Sequence, residues 1–285
     1  KSHLFFGAMG GMTGTTFSTT DCHSTNNAEG KGFTTSASVS QFYPGWVGKG
    51  ATSQVTHTIK NCWNDTDFTA TSDFNTTSSC YMTLGISDAV SGAKCSYNIE
   101  NFTASGDMNF YGTAGNYFYA GAIFGYWRGS GTMKITNCIS TGTHTYDATF
   151  KGRTTIAGLV GYGYTRTINN WTNYGNVTWN SGSFNAARVT GGIGYAPDAS
   201  ASNITNHGDI TIKDGITIND SLYLGGCLGY NSGSASYTMS NMTNNGDITI
   251  DADMVDITKG YFRIGGVCSW SQCLCENFTN NGDIN

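Results

Sequence analysis

One repeated phrase constrains what this chain can fold into. The segment SNMTNNGDITI at residues 240–250 has close variants along the sequence. The glycine of its NNGD centre, Gly246, aligns with Gly106, Gly142, Gly175, Gly208 and Gly282. Thr66 holds the same place within NCWNDTDFT, and Gly30 or Gly32 does so more loosely. From Thr66 to Gly282 six steps cover 216 residues, a mean period of about 36. A fixed period of this size is the mark of stacked repeats, each of which buries its apolar face against its neighbours.

A second phrase precedes each NNGD-like block. Its best copies are YFYAGAIFGY ending at Tyr126, RTTIAGLVGY ending at Tyr162, ARVTGGIGY ending at Tyr195, SLYLGGCLGY ending at Tyr230 and YFRIGGVCSW ending at Trp270. Weaker copies are LFFGAMGG near the start, QFYPGWVGK ending at Lys49, and a degraded one over residues 80–86. Two positions before the aromatic stand Phe124, Val160, Ile193, Leu228 and Cys268; six before it stand Ala120, Ile156, Val189, Leu224 and Ile264. At offset seven the column is Tyr119, Thr155, Arg188, Tyr223 and Arg263. Apolar residues on even offsets with an outward column beside them are the period-two pattern of half-buried strands.

In the NNGD phrase, Asn241 points outward, Met242 inward and Thr243 outward; Asn244 lies at a corner, Gly246 turns, and Ile248 and Ile250 point inward. The turn glycine is expected to supply a positive φ. The inward position after the column asparagine holds Phe102, Cys138, Trp171, Ile204, Met242 and Phe278. The expected fold is therefore all-β, a parallel β-helix (β-solenoid) of about eight coils. It forms one domain over residues 1–285, irregular in coils 1–100 and regular in coils 101–285.

The two phrases together resemble the GLUG-type repeat. Gly225 to Tyr230 followed by Asn241 to Ile248, and Gly158 to Tyr162 followed by Asn170 to Val177, match its glycine-rich and Asn-x-x-Asn-x-Gly-x-Ile halves; Asn61 with Cys62 and Asn137 with Cys138 carry its Asn-Cys form. Similarity covers most of the chain and is weakest in the first three coils. The resemblance implies a secreted or surface β-solenoid stalk, adhesin-like in some cases, with no shared catalytic motif.

Composition narrows the function. Charged residues are 12 % of the chain against roughly 25 % in ordinary domains, while 38 % apolar content is enough for a core. A net charge of -5 and the lack of a Lys/Arg cluster argue against nucleic acid and against an anionic membrane surface. The absence of an apolar run of about 20 residues argues against membrane insertion. The first residue is Lys1, and the chain reads as a mature or excised product.

Nine Asn-x-Ser/Thr sequons, at Asn64, Asn75, Asn101, Asn170, Asn176, Asn203, Asn219, Asn241 and Asn277, are candidate glycosylation sites, and five of them share one repeat position. They point to an extracellular or cell-surface glycoprotein. Nine cysteines leave at least one unpaired; Cys80 with Cys95, and Cys268 with Cys273 and Cys275, are the candidate local disulfides. Asp209, Asp247 and Asp283 follow repeat glycines on successive coils, and their stacked carboxylates are a candidate Ca2+ site. No other cofactor is implied.

Catalysis by a polysaccharide-active solenoid needs paired carboxylates in a cleft. Here the acids are spread one per coil, and His3, His23, His57, His144 and His207 form no cluster. The chain therefore reads as non-enzymatic. Its first segment, KSHLFFGAMGG, resembles the stretch after NNGDITI in a regular coil, and its last, NNGDIN, breaks off within one. Open strand edges add strands, so His3, Leu4, Phe5, Phe6, Phe278 and Ile284 are candidate contacts of a head-to-tail homopolymer, a filament or stalk. The alternatives are an adhesin or carbohydrate-binding rod and, third, an enzyme.

Overall fold

The structure, a computed structural model, describes residues 2–6, 18–24, 28–30, 34–35, 39–44, 56–72, 74–76, 79–88, 96–127, 129, 131–164, 167–251 and 259–285. Within them the chain winds as a parallel β-solenoid with three strand-bearing faces. The first face holds Met133–Ser140, Thr167–Asn173, Ser200–Asn206, Thr238–Asn244 and Leu274–Asn280, paired in parallel and in register. The second runs through Met108–Phe110, His144–Ala157, Val177–Thr190 and Ile210–Ile212 to Ile248–Ile250. The third stacks Ile86–Asp88, Phe124–Trp127, Val160–Gly163, Ile193–Tyr195, Leu228–Asn231 and Cys268–Ser271. This face has six strands, so the solenoid has about six turns of about 36 residues. The expectation of eight counted every copy of the phrase as a coil. Around the earliest copies, however, Ser2–Phe6 and Val39–Pro44 pair in a separate two-stranded sheet.

The inward columns form one continuous core. Cys62, Phe102, Cys138, Trp171, Ile204 and Met242 stack beneath the first face, and Ala120, Ile156, Val189 and Leu224 beneath the second. Trp127, Trp171 and Trp179 are fully buried. Burial of side chains this large stabilises by roughly 1.5–3 kcal/mol each.

Two columns set how the first face bends. Asn61, Asn101, Asn137, Asn170, Asn203, Asn241 and Asn277 all adopt φ of 52 to 56°, and Asp21 extends the set at 55°. Asparagine and aspartate tolerate this left-handed region far better than other side-chain-bearing residues. The asparagine therefore bends the strand, a role expected of the NNGD glycine. Gly106, Gly142, Gly175, Gly208, Gly246 and Gly282 have no positive φ; each is glycine because an added Cβ would overlap the carbonyl oxygen of the corner residue one coil earlier.

Three residues past the bends at Asn170, Asn203, Asn241 and Asn277 lies a second asparagine. Asn173, Asn206 and Asn244 are fully buried. Each donates one N–H to the glycine carbonyl two residues on, at 2.7 Å, and another to the next asparagine's Oδ1 at 2.8–2.9 Å, ending at Asn280. Such polar groups are tolerated in a core only when paired. Space for them comes from one glycine of the glycine-rich phrase: an added Cβ at Gly158, Gly191, Gly226 or Gly266 would overlap Asn173, Asn206, Asn244 or Asn280.

The ladder stops one coil below Asn173, where Ser140 is too short to continue it. Ser140 Oγ and Asn173 Oδ1 are both buried without a hydrogen-bond partner, and the position equivalent to Gly158 is Ala122. Ser140→Asn alone is expected to lower the denaturation midpoint, because Ala122 occupies the space needed. Ser140→Asn with Ala122→Gly should recover it and add a rung, with a coupling of about 1 kcal/mol or more in a double-mutant cycle. Strict additivity would overturn the register argument.

His144 stands in the inward column Met108, His144, Val177, Ile210. Burial above all pushes its imidazole down from 6.5 to about 4. Burial lowers His57 in the same direction. With the folded pKa depressed, the unfolded chain binds more protons below pH 6.5. Stability is thus complete above 6.5 and is lost as pH falls towards about 4, by on the order of 3 kcal/mol for His144. His144→Val is expected to flatten the fall in urea midpoint between pH 6.5 and 4; an unchanged slope would show that His144 is not buried neutral.

Candidate functional site

The glycine–aromatic phrase builds the most distinctive external surface. Phe118 and Ala120 belong to the core, so Tyr119 between them points out, as do Arg188 between Ala187 and Val189 and Tyr223 between Leu222 and Leu224. The chain then folds back onto the third face, and the next aromatic meets this column from the other side. The rings of Tyr119 and Tyr126 stack at 5.1 Å, and those of Tyr126 and Tyr162 at 5.0 Å. Consecutive strands bring outward side chains together only across a re-entrant angle, so the two columns line the walls of a groove along the solenoid axis.

Tyr81, Tyr119, Tyr126 and Tyr162 close the N-terminal half of the groove, each no more than 9 % exposed. Towards the C-terminal half, Arg188, Tyr195, Tyr223, Tyr230, Arg263 and Trp270 are half-exposed. The buried tyrosines Tyr81, Tyr119, Tyr126 and Tyr162 form a cluster of their own, separate from the core. The Arg188 guanidinium lies 4.4 Å from the Tyr195 ring centre and 4.7 Å from that of Tyr230. Arg263 lies 3.7 Å from Trp270 and 4.6 Å from Tyr261. Such cation–π contacts contribute about 0.5–2 kcal/mol each, more where water is excluded. Burial, and then the neighbouring charge of Arg153, hold the Arg188 pKa below its usual value. Arg188 Nε is a buried donor without an acceptor. The ion pairs among the described residues are His23–Asp65 at 2.6 Å and Lys60–Glu100 at 2.7 Å, and neither lies in the groove.

The sequon asparagines fall into three groups. Asn101, Asn170, Asn203, Asn241 and Asn277 are the exposed left-handed bend residues. Among them, and including Asn61 and Asn137, side-chain amides donate to the Oδ1 one coil earlier at 2.8–3.1 Å. Asn75, Asn176 and Asn219 are exposed off this ladder; Asn176 Oδ1 accepts the Asp209 N–H at 2.8 Å. Asn64 is corrected as a candidate: it is 3 % exposed and its amide donates to the Leu84 carbonyl at 2.7 Å, which leaves no room for a glycan.

Asp209, Asp247 and Asp283 form a column linked by backbone contacts. Asp209 Oδ1 accepts the Asp247 N–H at 2.9 Å and Asp247 Oδ1 the Asp283 N–H at 2.8 Å. Asp67 and Asp107 act likewise, on Asp107 N–H and Thr143 N–H. The carboxylates of Asp67, Asp107, Asp209 and Asp247 each staple their corner to the next coil. Among the described residues no three His, Cys, Asp or Glu side chains converge as metal ligands.

Cys80, Cys268, Cys273 and Cys275 are free thiols in the structure, and Cys95, the expected partner of Cys80, lies outside the described residues. Cys80 is buried in the core, and burial above all pushes the Cys268 thiol up to about 12. Of the polymer-contact candidates, Phe278 is half-buried and Ile284 is 48 % exposed on the last coil, and His3, Leu4, Phe5 and Phe6 lie in Ser2–Phe6. Among the histidines, His23 meets Asp65 and the Trp63 ring, and His207 stacks on Tyr174 at 4.8 Å; none of these groupings holds a nucleophile and base in a cleft.

The offset-seven column already contained Arg188, Tyr223 and Arg263, but nothing in the strand pattern showed that the following aromatics fold over onto them. Arg153 was missed altogether. No helix among the described residues is long and apolar enough to cross a membrane. No protein-family model, curated protein or solved structure matches the chain.

Proposed function

We propose that the chain is a length of non-enzymatic extracellular rod of the GLUG-repeat kind, which stacks through its coil edges into a filament or stalk. One observation carries the reading: successive coils meet through the same in-register set of contacts, so one coil's open edge is a template for the next. A second copy is the proposed occupant. Negative-stain microscopy of the purified chain should show rods several times longer than one chain, shortened by Phe278→Glu. Monomers at every concentration in sedimentation would overturn it.

Glycosylation belongs to the same proposal in a narrower form. Ladder asparagines on paired strands stand about 4.8 Å apart, too close for a glycan on every rung, and a glycan on Nδ2 removes a donor from the ladder. From a secretory host, folded material is expected to carry glycans at Asn75, Asn176 and Asn219 and none at Asn64. Glycopeptide mass spectrometry reads this directly, and an occupied Asn64 in folded protein would refute it.

A second reading, a carbohydrate-binding surface rod, is favoured by the aromatic and arginine groove. Rings presented at one interval per coil suit a polymer of repeating units.

A further inference from the structure

Arginine is scarce in this chain, which has 14 basic residues and a net charge of -5. Arg153, Arg188 and Arg263 nevertheless lie along the second face, with Arg153 near enough to Arg188 to disfavour its charge. No carboxylate forms an ion pair with any of the three among the described residues. Side chains that stack on rings use only the faces of the guanidinium, and its N–H donors lie in the plane. Arg188 Nε is buried with no acceptor among the described residues.

Resting on the carbohydrate-binding reading, we propose that the groove lined by Arg188, Tyr195, Tyr223, Tyr230, Arg263 and Trp270 binds an extended acidic polysaccharide along the solenoid axis. Carboxylate or sulfate groups on the sugars meet the arginines as planar, charge-assisted pairs. The tyrosine and tryptophan rings, one per coil in the outer column, pack against the apolar faces of successive sugar rings. Charge complementarity selects the occupant: a polyanion relieves the repulsion between neighbouring guanidinium groups, which a neutral glycan leaves in place.

An acidic peptide fits less well. Strands on both walls are hydrogen-bonded to the coils above and below, so the groove offers no free backbone edge for strand addition. It presents a regular row of rings where a peptide needs separate side-chain pockets.

The test is titration of the purified chain by calorimetry and Trp fluorescence. The ligands are oligogalacturonate, its methyl ester, a sulfated oligosaccharide, a neutral β-linked glucan oligomer and polyglutamate. The acidic oligosaccharides are expected to bind, to weaken at least tenfold on raising salt from 50 to 500 mM, and to weaken at least tenfold in Arg188→Gln with Arg263→Gln. Arg263→Gln alone, at the more open position, should weaken binding several-fold, and an unchanged circular dichroism spectrum and melting point confirm that the fold survives. Equal binding of the methyl ester or the neutral glucan overturns the acidic ligand but leaves the carbohydrate-binding reading standing. Binding of no glycan overturns both, and polyglutamate binding as tightly as oligogalacturonate overturns the polysaccharide in favour of an acidic peptide.

Discussion

The structure depends on how closely one coil's corner sits on the next. At each NNGD corner a carbonyl lies directly against the following coil's glycine, where even a methyl group has no room. That contact fixes the vertical spacing at the corner and brings neighbouring backbones within hydrogen-bonding distance along all three faces. It also explains the neighbouring polar groups. A corner this tight leaves carbonyl and N–H groups pointing along the axis, and buried Asn173, Asn206 and Asn244 and exposed Asp209 and Asp247 satisfy them from the two sides. The phrase NNGD is a description of one corner: an inward amide, an unobstructed backbone and an outward carboxylate.

Volume is balanced across the coil around the inward amide. At Asn173, Asn206, Asn244 and Asn280 the facing residue is glycine. Where the column holds Ser140 the equivalent residue is Ala122, and where it holds Ala104 the equivalent is Leu84. As the column side chain shrinks, the facing residue grows, as close packing requires. The less regular first coils are therefore a different solution to the same space. A ladder in these coils would need both positions to change together.

The period of about 36, the parallel solenoid and the inward columns were legible because burial repeats every second residue within a strand and every coil along the chain. The number of complete turns was not, since a phrase can recur without closing all three faces. The origin of the bend was misassigned for a physical reason. Glycine signals either positive φ or close approach, and the sequence does not distinguish them; only coordinates show that Asn241 is left-handed and Gly246 is crowded. The same ambiguity hid the groove. Tyr126 lies two residues after inward Phe124, so strict alternation sends it into the core. The fold-back over Gly121 to Ile123 instead brings it against outward Tyr119.

Inside and outside thus carry separate burdens. The interior is saturated: apolar columns, an amide ladder and glycines placed by contact leave little freedom to vary. On the outer corner, Asp67, Asp107, Asp209 and Asp247 are engaged with the next coil's amides, so a row of the chain's scarce carboxylates is occupied in holding coils together. The arginines have no such work. They stand on aromatic rings whose burial already secures the groove, and the fold does not need their charge. Cation–π stacking alone would be served as well by a neutral aromatic layer like that formed by Tyr81, Tyr119 and Tyr126 a few coils earlier. That contrast within one groove, between a closed half and a half-open half carrying Arg188 and Arg263, is what the proposed recognition rests on.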